Sequence, residues 1–298
     1  MNQIVAVVVT YNRKEILKQN LACLKNQQEK CDVIVIDNAS TDGTAELKEL
    51  KDPSVIYYNT GANLGGAGGF EAGVKLAVKK GYEYVWIMDD DTLPYEDALL
   101  ELMKADEQLN GVWGWLSSVA YWTDGSICEA NRQKKSLIKF LSDKDYEMSL
   151  VPTQMASFVA LLIKSSVVKE MGLPIGEYFI WTDDYEYTGR IERKYPCYTV
   201  TTSKVIHAMN IHTKAKLARD DINRISRYEY LFRNDVHCYR QYGLKGWIYI
   251  ILKDLYTVVD VVLHSDGYRM RKIRVVLHAF RQGLTFDPKI KNLYSDGD

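Results

Sequence analysis

The first ninety residues alternate between short apolar runs and segments with helical spacing, and this order restricts the fold more than any other feature. The apolar runs cover residues 4–9, 33–36, 55–58 and 84–88. The segments with helical character cover residues 13–26, 40–50 and 67–80. Strands that are apolar throughout are buried on both faces, as in a parallel sheet covered by helices. The alternation therefore predicts an α/β fold with a doubly wound, mostly parallel central sheet.

Polar residues cluster where each of the four predicted strands ends. The ends read Thr10-Tyr11-Asn12-Arg13, Asp37-Asn38-Ala39-Ser40, residues 59–66, and Asp89-Asp90-Asp91. Doubly wound sheets bind their ligands at the carboxyl ends of the strands. We therefore expect the functional site to lie along this edge of the sheet.

The triplet Asp89-Asp90-Asp91 follows the apolar run YVWIM. Three adjacent carboxylates repel one another and lose hydration unless a cation neutralises them. Alternate residues at a strand end point the same way, so we expect Asp89 and Asp91 to share one hard divalent cation. Asp90 would then face a ribose hydroxyl or a helix end. The alternative interpretation is a solvated acidic turn that caps the next helix.

A glycine-rich segment, NLGGAGGF at residues 63–70, lies between the third strand and its helix. Glycines let the backbone approach a ligand closely, and the N-terminus of the following helix offers N–H groups to anions. The first turn, TYNR, has no glycine and no Gly-Lys-Ser/Thr occurs in the segment, which excludes a dinucleotide fingerprint and a P-loop. Close packing of the helix on the sheet at Gly69 and Gly73 is the alternative explanation.

A second acidic cluster, Asp183-Asp184, follows Trp181 and opens a predicted helix. Either acid could cap that helix, or one could accept the proton of an acceptor hydroxyl while Trp181 stacks on a sugar ring. Two histidines follow a predicted strand at residues 197–201. An imidazole with two carboxylates suits Mn²⁺ or Mg²⁺, and His207 is the better candidate because it directly follows an apolar pair. His212 could equally contact a substrate phosphate.

Six motifs occur in a characteristic order: VVVTYNR, VIDNASTDGT, NLGGAGGF, WIMDDDT, WTDDYEY and VIHAM. Together they resemble family 2 glycosyltransferases with the GT-A fold. The glycine segment, the acidic triplet, the Trp-x-Asp-Asp element and the histidine narrow the resemblance to bacterial galactofuranosyltransferases and related rhamnosyltransferases. YEYLFRND, at residues 228–235, also resembles the segment that follows the histidine in those enzymes. Thr182 departs from the galactofuranosyltransferase pattern, in which the tryptophan directly precedes the two acids.

The resemblance implies that the chain is an inverting, metal-dependent hexosyltransferase. Asp89, Asp91 and His207 would bind Mn²⁺ or Mg²⁺, and Asp184 would be the catalytic base. The residues implied to contact the nucleotide-sugar are Thr10, Tyr11, Asn12, Arg13, Asp37, Asn38, Asn63, Gly65, Gly66 and Asp90.

The implied donor is UDP-galactofuranose, with dTDP-rhamnose as the alternative. The acceptor would be a growing cell-surface or lipid-linked glycan, in contact with Trp181 and Asp183. Two other classes stay open. A sugar-phosphate nucleotidyltransferase would share the fold class and the metal, but it would begin with a Gly- and Lys-rich first loop. A non-catalytic nucleotide-sugar or glycan-binding protein would have no use for both acidic clusters.

The remainder of the chain predicts a second half of the catalytic domain and a helical C-terminal region. We expect residues 1–95 to bind the nucleotide, residues 96–235 to form the acceptor half, and residues 236–298 to form a basic, amphipathic helical region. Within the acceptor half, residues 124–145 are polar and predict an excursion from the fold or a flexible loop. Residues 240–291 hold ten Lys/Arg against four Asp/Glu, although the formal net charge of the whole chain is −1.

Residues 246–264 approach the length of a membrane span, but Lys253, Asp254 and Asp260 interrupt them, so we predict no spanning helix. An apolar face flanked by Lys and Arg suits an anionic membrane surface; packing on the catalytic domain or a homo-oligomer seam is the alternative. The near-zero net charge excludes a general field for nucleic acid. Five scattered cysteines and no secretory signal predict a cytoplasmic protein, at the inner face of a bacterial membrane.

Overall fold

The computed structural model describes residues 2–209 and 216–293, and within these ranges the strands form one nine-stranded sheet. In chain order the strands are β1 (Ile4–Thr10), β2 (Asp32–Asp37), β3 (Val55–Asn59), β4 (Tyr84–Asp89), β5 (Thr92–Pro94), β6 (Trp115–Tyr121), β7 (Leu150–Pro152), β8 (Leu161–Lys164) and β9 (Tyr198–His207). Across the sheet their order is β3-β2-β1-β4-β8-β6-β9-β5, and β7 pairs with β9. The predicted α/β fold is confirmed.

The strands of the first ninety residues build a parallel half of the sheet. β1 pairs in parallel with β2 and with β4, and β2 pairs in parallel with β3. Beyond β4, the strand β8 is antiparallel to both of its neighbours, whereas β6 and β9 are parallel. The carboxyl ends of β1 to β4 therefore lie along one edge, where Thr10 is opposite Asp37 and Asp37 is opposite Asn59.

Helices cover both faces of this sheet, as its apolar strands predict. They are α1 (Lys14–Lys25), α2 (Gly65–Lys79), α3 (Ala98–Gln108), α4 (Ser165–Met171), α5 (Asp183–Glu192), α6 (Arg227–Arg240), α7 (Gly243–His264) and α8 (Arg269–Thr285). Successive residues of a strand point to opposite faces. Ala6 and Val8 of β1 accordingly pack in the layer that contains α1 and α3, whereas Val5 and Val7 pack in the layer that contains α2.

Two glycines of the NLGGAGGF segment and its helix are explained by packing of α2 on the sheet. A Cβ atom at Gly69 would lie 2.5 Å from a methyl carbon of Val9, and one at Gly73 would lie 2.3 Å from a methyl carbon of Val7. Larger residues at either position would push the helix away from β1. The packing interpretation therefore holds for Gly69 and Gly73, which leaves Gly65 and Gly66 as candidates for a functional role.

Two segments differ from their predicted conformation. Residues 40–50 form two 3₁₀ turns, Thr44–Glu46 and Lys48–Lys51, because Leu47 between them has an extended backbone. Of the two alternatives predicted for residues 124–145, the flexible loop is wrong. Gln133 and Lys134 within it are buried, and Gln133 donates a hydrogen bond of 2.8 Å to the backbone carbonyl of Ser118 in the central sheet.

The last three helices form a layer of their own, in which α6 packs against both α7 and α8. The predicted domain boundary after residue 235 falls inside α6, and the division of the chain at that point stays a prediction. α7 begins at Gly243, three residues before the predicted apolar segment. Within the described ranges, no helix combines the length and the apolar character needed to cross a bilayer.

Candidate active site

Two carboxylates and one imidazole from distant parts of the chain converge at the carboxyl edge of the sheet. One ligand atom each of Asp89, Asp91 and His207 lies within 4.8 Å of the others. Asp89 ends β4 and His207 ends β9, and the two strand ends meet because Thr92 of β5 pairs with His207. The structure therefore brings together the three residues predicted to bind a cation.

The imidazole of His207 is held from both sides. Its Nε2 lies 2.9 Å from Oδ1 of Asp91, and its Nδ1 lies 2.7 Å from Oδ1 of Asn131. Asn131 is fixed in turn, because its amide donates to the hydroxyl of Ser157 at 3.1 Å and its Oδ1 accepts from the thiol of Cys128. Metal-binding histidines characteristically give their second nitrogen such a partner, which fixes the direction of the first. No sequence pattern marks Asn131, which lies in the polar segment of residues 124–145.

Positive charge reaches the triplet from the first strand end. The guanidinium of Arg13 lies 3.0 Å from Oδ1 of Asp90 and 2.8 Å from Oδ2 of Asp91. The hydroxyl of Thr10 donates to Oδ2 of Asp90 at 2.7 Å. The two oxygens of Asp90 are thus held by Thr10 and Arg13, and its contact with a ribose hydroxyl stays a prediction.

The surroundings raise the pKa of some of these groups and lower that of others. Burial, and then the charge of Asp91, raises the pKa of Asp89 to about 7; burial also raises the pKa of Asp90 to about 7. Burial opposes ionisation of Asp91 as well, but the hydrogen bond from His207 and the charge of Arg13 lower its pKa to about 2. The pKa of His207 would fall on burial, yet the hydrogen bond to Asp91 raises it to about 10. A cation bound by the two carboxylates and the imidazole would offset the repulsion between the carboxylates, and these ligand types suit Mn²⁺ or Mg²⁺.

The second acidic cluster lies at the start of α5 and faces the same region. Asp184 is bonded to its neighbour through a 2.7 Å hydrogen bond from the backbone N–H of Tyr185. Burial raises the pKa of Asp184 to about 7, and the charge of Asp89 acts in the same direction. The two acidic clusters therefore interact electrostatically. Burial and the charge of Asp184 raise the pKa of Asp183 to about 8. Neither acid is the N-cap of α5, because that position belongs to Thr182.

Trp181 lies between the site and the C-terminal helices. Its ring centroid is 5.1 Å from that of Tyr228, and the side chain packs against a cluster of apolar residues from α6, α7 and α8. The ring is partly exposed. Its contact with an acceptor stays a prediction. His212, the other predicted candidate near this region, lies outside the described residues.

The polar residues of the second strand end are occupied by contacts between loops. Both carboxylate oxygens of the buried Asp37 accept hydrogen bonds, one from the backbone N–H of Ser40 at 2.8 Å and one from the hydroxyl of Tyr57 at 2.6 Å. Burial, with this hydrogen bond, raises the pKa of Tyr57 to about 12. Asn38 donates to the carbonyl of Gly65 at 2.8 Å, which ties the second strand end to the glycine segment.

The remaining donor-site candidates lie around these loops. Asn12 has a left-handed backbone and accepts a 2.7 Å hydrogen bond from the N–H of Thr41, whereas Tyr11 beside it is 43% exposed. Asn63 accepts the N–H of Gly65 at 2.9 Å, and its own side chain is exposed. Gly66 is partly exposed and would have nothing within 4 Å of an added Cβ atom.

The start of α2 is partly closed to ligands. The N–H of Ala67 donates to the carbonyl of Phe179 at 3.2 Å, and the N–H of Gly65 is already bonded to Asn63. At least two of the N–H groups expected to be free for an anion are therefore used by the protein itself. The contact with Phe179 joins the glycine segment directly to the turn that precedes Asp184.

A buried lysine near the second acidic cluster was not predicted. The ammonium of Lys134 donates to the hydroxyl of Tyr239 at 2.7 Å and lies 4.8 Å from the ring centroid of Tyr185. Its charge lowers the pKa of Asp184, which burial raises. Cation–aromatic contacts of this kind are strongest when desolvated. In the sequence the residue is one of a Lys-Lys pair in a polar stretch, a pattern typical of solvated surface.

Comparison with known proteins agrees with this geometry. Residues 5–152 match the family described as Glycosyl transferase family 2. The chain belongs to glycosyltransferase family 2. It is a transferase.

Among the relatives of this glycosyltransferase is galactofuranosyltransferase GlfT1 of Mycolicibacterium smegmatis, which is 28% identical over 68% of this chain and 70% of that protein. Two solved structures share the fold. GalNAc-T7 with UDP, GalNAc and Mn²⁺ has a TM-score of 0.62 at 13% identity, covering 94% of this chain and 55% of that one. The mannosyltransferase PcManGT from Pyrobaculum calidifontis, in complex with GDP-Man and Mn²⁺, has a TM-score of 0.54 at 15% identity, covering 96% and 76%. These structures confirm a GT-A fold for the glycosyltransferase.

Replacing Gly65 with alanine should destabilise the glycosyltransferase, whereas the same change at Gly66 should be tolerated. Gly65 has φ +72°, and an added Cβ atom would lie 2.0 Å from the carbonyl oxygen of Phe179. We expect Gly65→Ala to lower the free energy of unfolding by about 2 kcal/mol or more. Urea denaturation of both variants measures the difference. Equal stability of the two variants would show that the contact with Phe179 is not constrained.

Proposed function

We propose that this glycosyltransferase moves a sugar from a nucleoside-diphosphate donor onto a hydroxyl group, with inversion and with the help of a divalent cation. The observation that carries the proposal is the convergence of two acidic clusters. Asp89, Asp91 and His207 offer ligand atoms within 4.8 Å of one another, and the charge of Asp89 reaches Asp184 at the start of α5. One edge of the sheet would thereby hold both the site for the leaving diphosphate and the base for the acceptor.

Asp89, Asp91 and His207 would hold Mn²⁺ or Mg²⁺. A divalent cation bound there would neutralise the negative charge that develops on the departing nucleoside diphosphate. The mannosyltransferase and GalNAc-T7 structures, which share the fold, contain Mn²⁺, and this supports the assignment. Asn131 would keep the imidazole aimed at the cation through its hydrogen bond to Nδ1.

Asp184 would act as the base. A carboxylate whose pKa is raised to about 7 accepts a proton from a hydroxyl more readily than an ordinary aspartate does. Removing the acceptor proton while the anomeric bond breaks allows direct displacement through an oxocarbenium-like transition state, so no covalent nucleophile is required. General-base assistance of this kind contributes roughly 10²–10⁴-fold to the rate.

The donor would lie along the strand ends. It would contact residues of the loops after the first three strands, of the glycine segment and of the triplet: Thr10, Tyr11, Asn12, Arg13, Asp37, Asn38, Asn63, Gly65, Gly66 and Asp90. UDP-galactofuranose is the proposed donor. The motif combination and the 28% identity to a galactofuranosyltransferase over 68% of the chain support it. dTDP-rhamnose is the second candidate, supported by the motifs that rhamnosyltransferases share.

The acceptor would be a growing cell-surface or lipid-linked glycan. Trp181, partly exposed beside Asp183 and Asp184, offers an apolar surface on which a sugar ring can stack. This position lies between the cation cluster and the C-terminal helices, because Trp181 packs against residues of α6, α7 and α8. A lipid-linked acceptor would reach the base from the side of these helices.

The outer face of α7 supports contact with a membrane. Nine of its exposed residues are large and apolar, and their spacing puts them in one stripe along the helix: Leu244, Ile248, Ile251, Leu252, Leu255, Tyr256, Val259, Val262 and Leu263. Exposed Arg269, Arg271, Arg274 and Arg281 of the neighbouring α8 carry positive charge. An apolar stripe beside arginines suits the interface of an anionic bilayer, where each basic residue contributes about 1 kcal/mol. We place the enzyme at the cytoplasmic face of the bacterial membrane, with a homo-oligomer seam as the alternative occupant of this stripe.

Two substitutions separate the roles of the acidic clusters. Asp184→Asn should retain binding of the nucleotide-sugar and lower the transfer rate by at least about 100-fold, since the amide cannot accept the acceptor proton. Asp91→Ala should also weaken donor binding that depends on Mn²⁺, which calorimetric titration measures. Asp266→Asn, an exposed acid of the loop after α7, serves as the matched control. Full transfer by Asp184→Asn would remove the base assignment, and donor binding without turnover by the unaltered chain would favour a non-catalytic protein.

Titration with UDP and with dTDP in the presence of Mn²⁺ tests the proposed donor. UDP carries a ribose 2′-hydroxyl that dTDP lacks, and this hydroxyl would donate a hydrogen bond to a carboxylate at the strand ends. We expect UDP to bind at least about ten-fold more tightly, since one such hydrogen bond is worth about 1.4 kcal/mol. Transfer should follow the same order, with galactofuranose moved from UDP-galactofuranose. Tighter binding of dTDP, with transfer of rhamnose, would select the second candidate instead.

Charge placed on the apolar stripe of α7 should release the enzyme from lipid. Leu252→Glu together with Leu255→Glu should lower the fraction that sediments with vesicles containing phosphatidylglycerol by at least about ten-fold. Val112→Glu, an equally exposed apolar residue outside the C-terminal helices, is the control and should leave sedimentation unchanged. If the unaltered chain does not sediment with vesicles and forms a dimer that the double substitution dissociates, the stripe is a subunit interface and the membrane proposal fails.

A further inference from the structure

The turn that leads into the second acidic cluster has an unusual backbone. Phe179, Trp181 and Thr182 all have positive φ, at 65°, 66° and 67°, although none is glycine. Each such residue costs about 1–3 kcal/mol and persists only where its surroundings fix it. The chain passes directly from this left-handed turn (residues 179–182) into Asp183 and Asp184 at the first turn of α5.

One buried amide holds the carbonyl groups of the turn. Nδ2 of Asn234, on α6, lies 3.0 Å from the carbonyl oxygen of Tyr178, 3.1 Å from that of Ile180 and 2.9 Å from that of Trp181. Asn234 is fully buried. The amide cannot rotate, because its oxygen accepts two hydrogen bonds from the guanidinium of Arg233, at 3.0 Å and 2.8 Å.

Arg233 also holds the turn itself. Its guanidinium donates to the carbonyl of Glu177 at 2.9 Å, just before the left-handed turn. Side chains of two successive α6 residues thus account for the backbone carbonyl groups from residue 177 to residue 181, with the exception of Phe179. The carbonyl of Phe179 is taken from the other side, by the N–H of Ala67 at the start of α2.

The next residue of α6 holds the end of the turn. Oδ1 of Asp235 accepts the hydroxyl of Thr182 at 2.8 Å, and Oδ2 forms an ion pair with Lys253 of α7. Asp235 is 1% exposed, so the pairing with Lys253 is needed to keep a charged carboxylate there. The three consecutive residues Arg233, Asn234 and Asp235, here called the α6 clamp, therefore fix the turn along its whole length.

We propose that the α6 clamp is a positioning device for sugar transfer: Asn234 and Asp235 hold the left-handed turn in the one conformation that presents Asp184 to the Asp89–Asp91–His207 cluster. The inference rests on the proposed function, in which Asp184 is the base. None of the clamp residues touches the reacting atoms. Their contacts with the turn are to the backbone of residues 177–181 and to the hydroxyl of Thr182, directly before Asp183 and Asp184.

Removal of the clamp should lower the rate of transfer without weakening donor binding. We expect Asn234→Ala to lower kcat at least ten-fold and to leave the KM for the nucleotide-sugar within two-fold, because the donor site lies on the strand ends. Asn223→Ala, an exposed asparagine before α6, is the matched control and should change neither constant. Circular dichroism and thermal melting show whether each variant is folded.

A second pair of variants keeps the test valid if Asn234→Ala does not fold. Thr182→Val removes only the hydroxyl that Asp235 holds, and Thr182→Ser restores it. We expect the valine variant to lose kcat several-fold at unchanged donor KM and the serine variant to recover most of the rate, whereas a purely structural role would lower the melting temperature without this recovery.

The outcomes distinguish the two proposals. If Asp184→Asn abolishes transfer while folded Asn234→Ala and Thr182→Val keep full kcat, the clamp proposal is wrong and the proposed function stands. A change in donor KM at constant kcat would also overturn the clamp, since it would place these residues on the donor side. If Asp184→Asn itself retains full transfer, both proposals fall, because the clamp would then position a group that the reaction does not use.

Discussion

Repulsion among five carboxylates at one edge of the sheet is the constraint on which the rest of the site depends. Asp89, Asp90, Asp91, Asp183 and Asp184 lie in a region where burial raises the pKa of four of them to about 7 or 8. The protein compensates with three cationic groups, two of which share Asp91. Arg13 serves Asp90 and Asp91, the imidazole of His207 serves Asp91, and the ammonium of Lys134 acts on Asp184. Asp89 and Asp183 have no cationic partner of their own among the contacts described, and Asp89 is the one that belongs to the cation cluster, where added positive charge would offset the repulsion.

The parallel half of the sheet could be predicted because its information is local. Each strand of the first ninety residues is a continuous apolar run, and each polar strand end follows directly from it, so the edge with Thr10, Asp37 and Asp89 needs no long-range contact to be recognised. The cation cluster could be proposed by residue type alone. Its actual geometry depends on the pairing of β5 with β9, in which residues 115 positions apart become neighbours at Thr92 and His207. No local pattern specifies that register.

The parts that sequence analysis missed share one physical cause. Asn131 and Lys134 lie in a polar stretch that reads as solvated, and they are turned inward by partners far away in the chain: His207 for the first, and Tyr185 and Tyr239 for the second. Polarity of a segment predicts exposure only when no distant group offers a hydrogen bond or an aromatic surface. The motif YEYLFRND carries a family resemblance, but the contacts of its last three residues with the left-handed turn are visible only in the structure.

Charged residues of α7 also lie away from its apolar stripe, and they connect the site to the proposed membrane face. In the sequence, Lys253 and Asp254 interrupt an apolar segment; in the structure Asp254 is buried and Lys253 pairs with Asp235, and both lie off the stripe of large apolar residues. Lys253 pairs with Asp235, whose other oxygen holds Thr182 at the start of α5. A buried carboxylate tolerates little displacement of its partner, because separation of the ion pair would leave it uncompensated. The position of α7 and the conformation of the turn before Asp184 are therefore linked through a single carboxylate, so a lipid surface that orders α7 would also restrict the proposed base.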